Sequence, residues 1–200
     1  MKKTLFSILM TLSFFSLVLI QFSCMQSKDE KKAMTQKELV VRGKYLVTAG
    51  GCNDCHTPKM MTNQGPVPDT TKLLAGYMSN FPLADIDTTV TNSKWVFANM
   101  ESTVWVGPWG VSFSANLTPD GATGLGNWTE EIFIKAMKTG KHMGMGRPIL
   151  PPMPWPGIAN LTDEDFKAVF TYLKSINPIK NQVPEPIPPN MIAQAINMKK

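Results

Sequence analysis

The stretch "AGGCNDCHTP" gathers Cys52, Cys55 and His56 within five positions of a 200-residue chain that has only three cysteines and two histidines. On a helical turn, C-x-x-C-H puts both thiols on one face. That spacing suits thioether bonds to the two vinyl groups on one edge of a porphyrin, and a histidine directly behind reaches the iron from the same side. Two other chemistries use similar residues. A thiol–disulfide site calls for a β-α-β frame, which the pattern does not offer. A zinc site needs two further ligands, and the chain has left only His142 and Cys24. Neither accounts for the 14 methionines.

A haem iron held from below by His56 has a second face, and "GKHMGMGRPILPPMPWPG" supplies His142, Met143, Met145 and Met153 as candidates for it. Most methionines fill cores. Met153 stands between Pro151-Pro152 and Pro154, whose fixed φ angles stiffen the loop around it, and a packing methionine needs no such stiffness. The expected ligand is Met153, then His142, a good iron ligand in a glycine-flanked stretch, with Met143 and Met145 behind. Arg147 is a candidate partner for a haem propionate, which a planar guanidinium can grip at two points. Trp95, Trp105, Trp109, Trp128 and Trp155 are placed to pack the core or line a porphyrin. The backbone carbonyl of Pro58 or of Pro66 is expected to hold the other ring nitrogen of His56, a partner that a metal-bound histidine normally has.

Helices must position these groups. "TQKELVVRGKYLVTAGGC" reads as a helix capped by Thr35, with Leu39, Gly43, Leu46 and Val47 near helical spacing and Gly50-Gly51 at its end. "NWTEEIFIKAMKTG" gives a second, capped by Thr129, with Glu130 and Glu131 in its first turn, Phe133, Ala136 and Met137 inward and Gly140 as the stop. "LTDEDFKAVFTYLKSINP" gives a third, with Thr162 and Asp165 at its start, a stripe of Phe166, Val169, Phe170 and Leu173, and Asn177-Pro178 at its end. Between Thr57 and Leu117 the composition shifts to Pro, Thr, Ser, Asn and Gly. There "STVWVGPWGVSFS" resembles two extended pieces around a Gly-Pro-Trp-Gly turn.

The chain opens Met1-Lys2-Lys3 and runs apolar from Leu5 to Ile20, long enough for a secretion signal and short for a membrane span. "FSC" then puts a small residue before Cys24, as at a bacterial lipoprotein cleavage site, although Gln21 holds the position where such sites usually carry leucine. The expected organisation is a signal peptide at 1–23, a lipidated tether at 24–36 joined through Cys24, one domain at 37–183, and a proline-rich tail at 184–200 that lies extended over the surface. The formal charge of +5 falls to +3 without residues 1–23, which argues against a nucleic-acid partner.

"RGKYLVTAGGCNDCHTP", "GPWGVSFSANLTPDGATGLGNWTEE" and "RPILPPMPWPGIANLTDEDFKAVFTYLKSINPIKN" together resemble the class I cytochrome c domains of bacterial periplasmic and lipoprotein cytochromes, related to the cytochrome subunits of membrane-bound dehydrogenases. The resemblance covers about Leu39 to Val183. It implies an all-α cytochrome c fold, with N- and C-terminal helices crossing around one haem c bound covalently by Cys52 and Cys55. In that family the axial ligands are the motif histidine and a methionine in a proline-rich loop, here His56 and Met153. The departure is the length of the segment from Met60 to Leu117, read as a long loop or short-hairpin insertion.

Such a protein transfers electrons in the periplasm and is not itself an enzyme. Its partners are a redox donor and acceptor, a membrane-bound dehydrogenase or terminal oxidase among them, and the membrane surface through its lipid. The alternatives are a haem enzyme or a gas- or peroxide-binding protein with a labile sixth ligand, and a haem subunit working only when docked to a dehydrogenase. For a docked subunit, an exposed apolar patch around Val104 to Phe113 is the feature to seek.

Overall fold

The hydroxyl of Thr35 accepts from the Glu38 amide while the Glu38 carboxylate accepts from the Thr35 amide, a reciprocal cap that opens the first helix, α1 (Gln36–Ala49). The computed structural model describes residues 33–79 and 88–197. The stretches expected as a signal peptide and, up to Lys32, as a tether, Cys24 among them, lie outside the described residues. The compact unit that holds the motif begins at Thr35.

Gly50 closes α1, and Gly51, at φ +68°, turns the chain into the short helix α2 (Cys52–His56). A hairpin comes next, β1 (Lys59–Thr62) against β2 (Gly65–Pro68), with Lys59 opposite Pro68. Farther on, β3 (Phe97–Ala98), β4 (Val104–Gly107) and β5 (Gly110–Phe113) form an antiparallel sheet in that order. Three more helices complete the frame around the motif: α3 (Glu130–Thr139), the single turn α4 (Trp155–Ile158) and α5 (Asp163–Ser175). A last helix, α6 (Ile192–Asn197), ends the described chain.

The expectation of an all-α fold is therefore corrected to one of helices with two small sheets. Both sheets lie between Thr57 and Leu117, where the composition is too poor in helix formers to continue the helical pattern. The extended pieces expected around Pro108-Trp109 are β4 and β5, joined by that two-residue turn.

Helices α1 and α5 cross at Gly43. A β-carbon there would stand 2.0 Å from the Ala168 carbonyl oxygen and 2.7 Å from the Tyr172 β-carbon, so only glycine allows this approach. Arg42 crosses the same joint to Asp165, Nε and Nη2 both reaching Oδ1 at 3.0 and 2.9 Å. Beneath it lies a core of Val47, Leu74, Leu125, Phe133, Phe166, Phe170, Tyr172 and Leu173. Phe133 meets Phe166 edge-on and Phe170 at a tilt, the arrangements aromatic quadrupoles prefer.

A second core gathers Tyr77, Val90, Val104, Val106, Val111 and Ile192, flanked by Phe113, Val183 and Ile187. Ile187 pairs with Val111 through two backbone hydrogen bonds of 2.8 and 2.9 Å, and Ile192 is fully buried. The segment expected as a tail extended over the surface is thus seated in this core, because Ile187 and Ile192 bury apolar area that the prolines around them cannot. The apolar residues sought at the surface between Val104 and Phe113 are turned inward as well. The exposed ones, Trp95, Val96, Phe97 and Met100, stand just before β4.

Candidate metal centre

Helix α1 delivers the chain to the motif with Val47 anchored in the first core, and Cys52 on the next turn packs partly buried against the same residues. Cys52 and Cys55 are both free thiols. Burial pushes both thiols above the ordinary cysteine range, with the charge of Asp54 adding to it, so neither is the activated thiolate that disulfide exchange would use. Among the described residues no three His, Cys, Asp or Glu side chains gather as a metal cluster would require.

His56 is 9% exposed, and its Nδ1 lies 2.8 Å from the backbone oxygen of Ala115. A carbonyl only accepts, so Nδ1 carries the hydrogen and the lone pair of the neutral ring resides on Nε2. Burial lowers the pKa of the ring, against the Ala115 bond, and favours this neutral, ligating form. The partner is neither of the two carbonyls expected: Pro58 accepts from the Asp69 amide at 2.8 Å, and Pro66 lies in β2. Ala115 had no signal in the sequence, since any residue offers the same backbone oxygen.

Around His56 the backbone is tied from several sides. Its own carbonyl accepts from the Gly76 amide at 2.7 Å, and the hydroxyl of the neighbouring Thr57 accepts from the Leu74 amide at 3.0 Å. The ammonium of Lys59 donates to the carbonyls of Asp54 at 2.5 Å and Glu101 at 2.6 Å, lacing the motif to the loop before β4.

The four candidates for the opposite face differ in setting. Met145 is 75% exposed, and Met143 and His142 are also exposed, whereas Met153 is half-buried. The His142 ring stands edge-on to Trp128, centroids 5.3 Å apart. The Met153 loop is pinned at two points that the sequence did not announce. The Ser112 hydroxyl donates to the Pro151 carbonyl at 2.6 Å, with the Trp109 indole N–H 3.2 Å from that same oxygen of Ser112. Beyond Met153, the Trp155 ring lies so close over Gly140 that a β-carbon there would be 2.3 Å from it.

Arg147 is at the surface, its Nε donating to Glu185 at 2.8 Å. Among the other tryptophans, Trp95 is 73% exposed, and the Trp105 indole donates to the Ser102 carbonyl at 3.1 Å. Trp128 packs against the first core.

The donor set fits a covalently attached haem. Two free thiols stand on one turn, a buried histidine behind them has its other nitrogen occupied, and a thioether loop is pinned by residues from two other elements.

No family model matches the chain. Among curated proteins it is similar to the gluconate 2-dehydrogenase cytochrome c subunit of Pantoea cypripedii, 31% identical over 134 residues, which are 67% of this chain and 22% of that one. It is similar to the fructose dehydrogenase cytochrome subunit of Gluconobacter japonicus, 28% identical over 167 residues, 80% of this chain and 27% of that one. The cytochrome c subunit of the quinone-dependent alcohol dehydrogenase of Gluconobacter oxydans is 36% identical over 81 residues, 39% of this chain and 17% of that one. The chain thus spans about a quarter or less of the length of these relatives. A C-x-x-C-H turn built as described, and relatives named as cytochrome subunits, make this chain one that carries a cytochrome c domain related to the cytochrome subunits of dehydrogenases.

Proposed function

We propose that the chain is an exported electron-transfer protein carrying one haem c, bound through Cys52 and Cys55 with His56 and Met153 as axial ligands, and not an enzyme in its own right. The observation that carries this reading is His56 itself, buried directly behind two free thiols and presenting its unprotonated nitrogen because Ala115 occupies the other. When bound, haem c supplies one-electron exchange, at a potential that Met/His ligation raises. The protein's part is to hold and to tune. Cys52 and Cys55 retain the group, the Ala115 carbonyl fixes the ring of His56, and Ser112 and Trp155 keep the Met153 loop in one place. With His56 and Met153 both engaged, no position is left for a substrate.

Absorption spectroscopy of ligand variants tests the reading. The oxidised protein should show the weak far-red band of a sulfur–iron bond. Met153→Ala should abolish it and open the iron to carbon monoxide or cyanide, and His142→Ala should leave it in place. Loss of the band on changing His142, Met143 or Met145 instead would move the ligand to "KHMGM".

The leader and "FSC" support a periplasmic lipoprotein anchored through Cys24. Fatty-acid labelling that is present in the wild type and absent in Cys24→Ala is the expected result, and equal labelling in both would refute it. The related cytochrome subunits support a dehydrogenase as electron donor. Gentle extraction of membranes should recover the chain with a dehydrogenase subunit, and recovery with an oxidase alone would reverse the direction of the assignment.

A further inference from the structure

Two chain segments meet beside His56. Residues 74–77 run along residues 114–117: the Tyr77 amide donates to the Ser114 carbonyl at 2.9 Å, and the Leu117 amide to the Leu74 carbonyl at 2.9 Å. Gly76 sits at the closest point, with φ +76°. A β-carbon there would be 2.4 Å from the Ser114 oxygen and 2.6 Å from both the carbonyl carbon and the oxygen of Ala115. That last oxygen is the one bonded to His56, so any side chain at position 76 must displace it. Leu74, fully buried and also left-handed at φ +60°, shows how tightly this segment is constrained, since a leucine adopts that conformation only when its surroundings enforce it.

Asn181 holds the segment from the other side. Its buried amide donates to the Ala75 and Tyr77 carbonyls, each at 2.8 Å, on either side of Gly76, and its oxygen accepts from the Ser79 amide at 3.3 Å. The Asn181 backbone amide donates to the Thr123 hydroxyl at 3.0 Å, and that hydroxyl accepts in turn from the Asn116 amide, next to Ala115, at 3.2 Å.

We propose that Gly76 and Asn181 are positioning residues that set the reduction potential of the haem by holding the Ala115 carbonyl on the Nδ1 of His56. The proposal rests on the reading of His56 as an iron ligand. A hydrogen bond from Nδ1–H to a carbonyl makes the imidazole a stronger electron donor through Nε2, which favours the oxidised metal. Weakening that bond should therefore raise the potential.

The test uses the full chain matured in a host that attaches haem c, with covalent haem followed on denaturing gels and the midpoint by optical redox titration. Gly76→Ala should keep covalent haem and the far-red band. Poised at the wild-type midpoint, its reduced-to-oxidised ratio should rise on the order of tenfold, ~59 mV for a one-electron couple. Asn181→Ala should shift the ratio in the same direction by less. Thr162→Ala, which removes the N-cap of α5, should lower the unfolding temperature and leave the midpoint alone.

An unchanged midpoint in both variants, or the same rise in Thr162→Ala, overturns the proposal. If Gly76→Ala yields no holoprotein, Asn181→Ala decides on the same ratio. A wild type that releases its haem on denaturation overturns the haem-attachment reading as well, and is told apart because it appears before any variant is made.

Discussion

Ser112 shows what a single hydroxyl does here: buried on β5, it is the partner of the Pro151 carbonyl two residues before Met153. Ser112→Ala removes that partner and with it a hydrogen bond worth about 0.5–1.5 kcal/mol. The reduced variant should bind carbon monoxide faster than the wild type in stopped-flow mixing, and equal rates would mean the prolines alone hold the loop. At the thiols, Cys52→Ala and Cys55→Ala should each retain at most one thioether and yield less holoprotein. The double variant should have no haem staining on a denaturing gel. The motif residues were legible because their chemistry is written in their side chains at fixed spacing. Ala115 was not, since a backbone carbonyl 59 residues from His56 leaves no trace in residue type. Gly76 and Ser112 carry only the weak signals of any glycine and any serine.

Among the elements, the crossing of α1 and α5 depends most on one position. Gly43→Ala places a methyl against the Ala168 carbonyl and should cost about 1–3 kcal/mol by overpacking, read as a lower denaturation midpoint with the slope unchanged. Asp69 caps the 3-10 turn Thr70–Lys72, and its carboxyl is held below the ordinary value of 3.8 by hydrogen bonds from Thr71 first and Lys72 next. A depressed carboxyl adds stability above its unfolded pKa and loses it as pH falls through the folded one. The deficit of Asp69→Asn relative to wild type should therefore be full at neutral pH and shrink as acid is added below about pH 4. A deficit that stayed constant with pH in thermal melts would refute this. The helices were legible because Thr35, Thr129, Thr162 and Gly140 mark their ends with cap chemistry, and each plays that part. The β1–β2 hairpin was not: Pro66 and Pro68 cannot donate to a ladder and argue against a strand in the sequence, yet an edge position tolerates them.

At the scale of the whole molecule, two cores divide the labour: the first carries the motif, and the second joins β4 and β5 to the C-terminal segment. Ile192→Ala should destabilise the protein by about 2–5 kcal/mol, and deletion of residues 184–200 by more, while covalent haem remains. Haem lost together with the tail would tie attachment to the second core. This closure was hidden in the sequence because prolines at 184, 186, 188 and 189 dominate the pattern, while Ile187 and Ile192 show their role only once Val111 is beside them. The long reach from His56 to Ala115 also orders events in time. At roughly 5–20 residues per second of synthesis, the thiol pair is made ~3–12 s before Ala115, and Asn181 later still. Until then the histidine has no fixed partner and both cysteines stand open to an attaching machinery. A chain that stops before Asn181 lacks the amide that holds the Ala75 and Tyr77 carbonyls, so on this reading it should still acquire covalent haem but grip the ring of His56 less firmly, a difference that a raised midpoint would show.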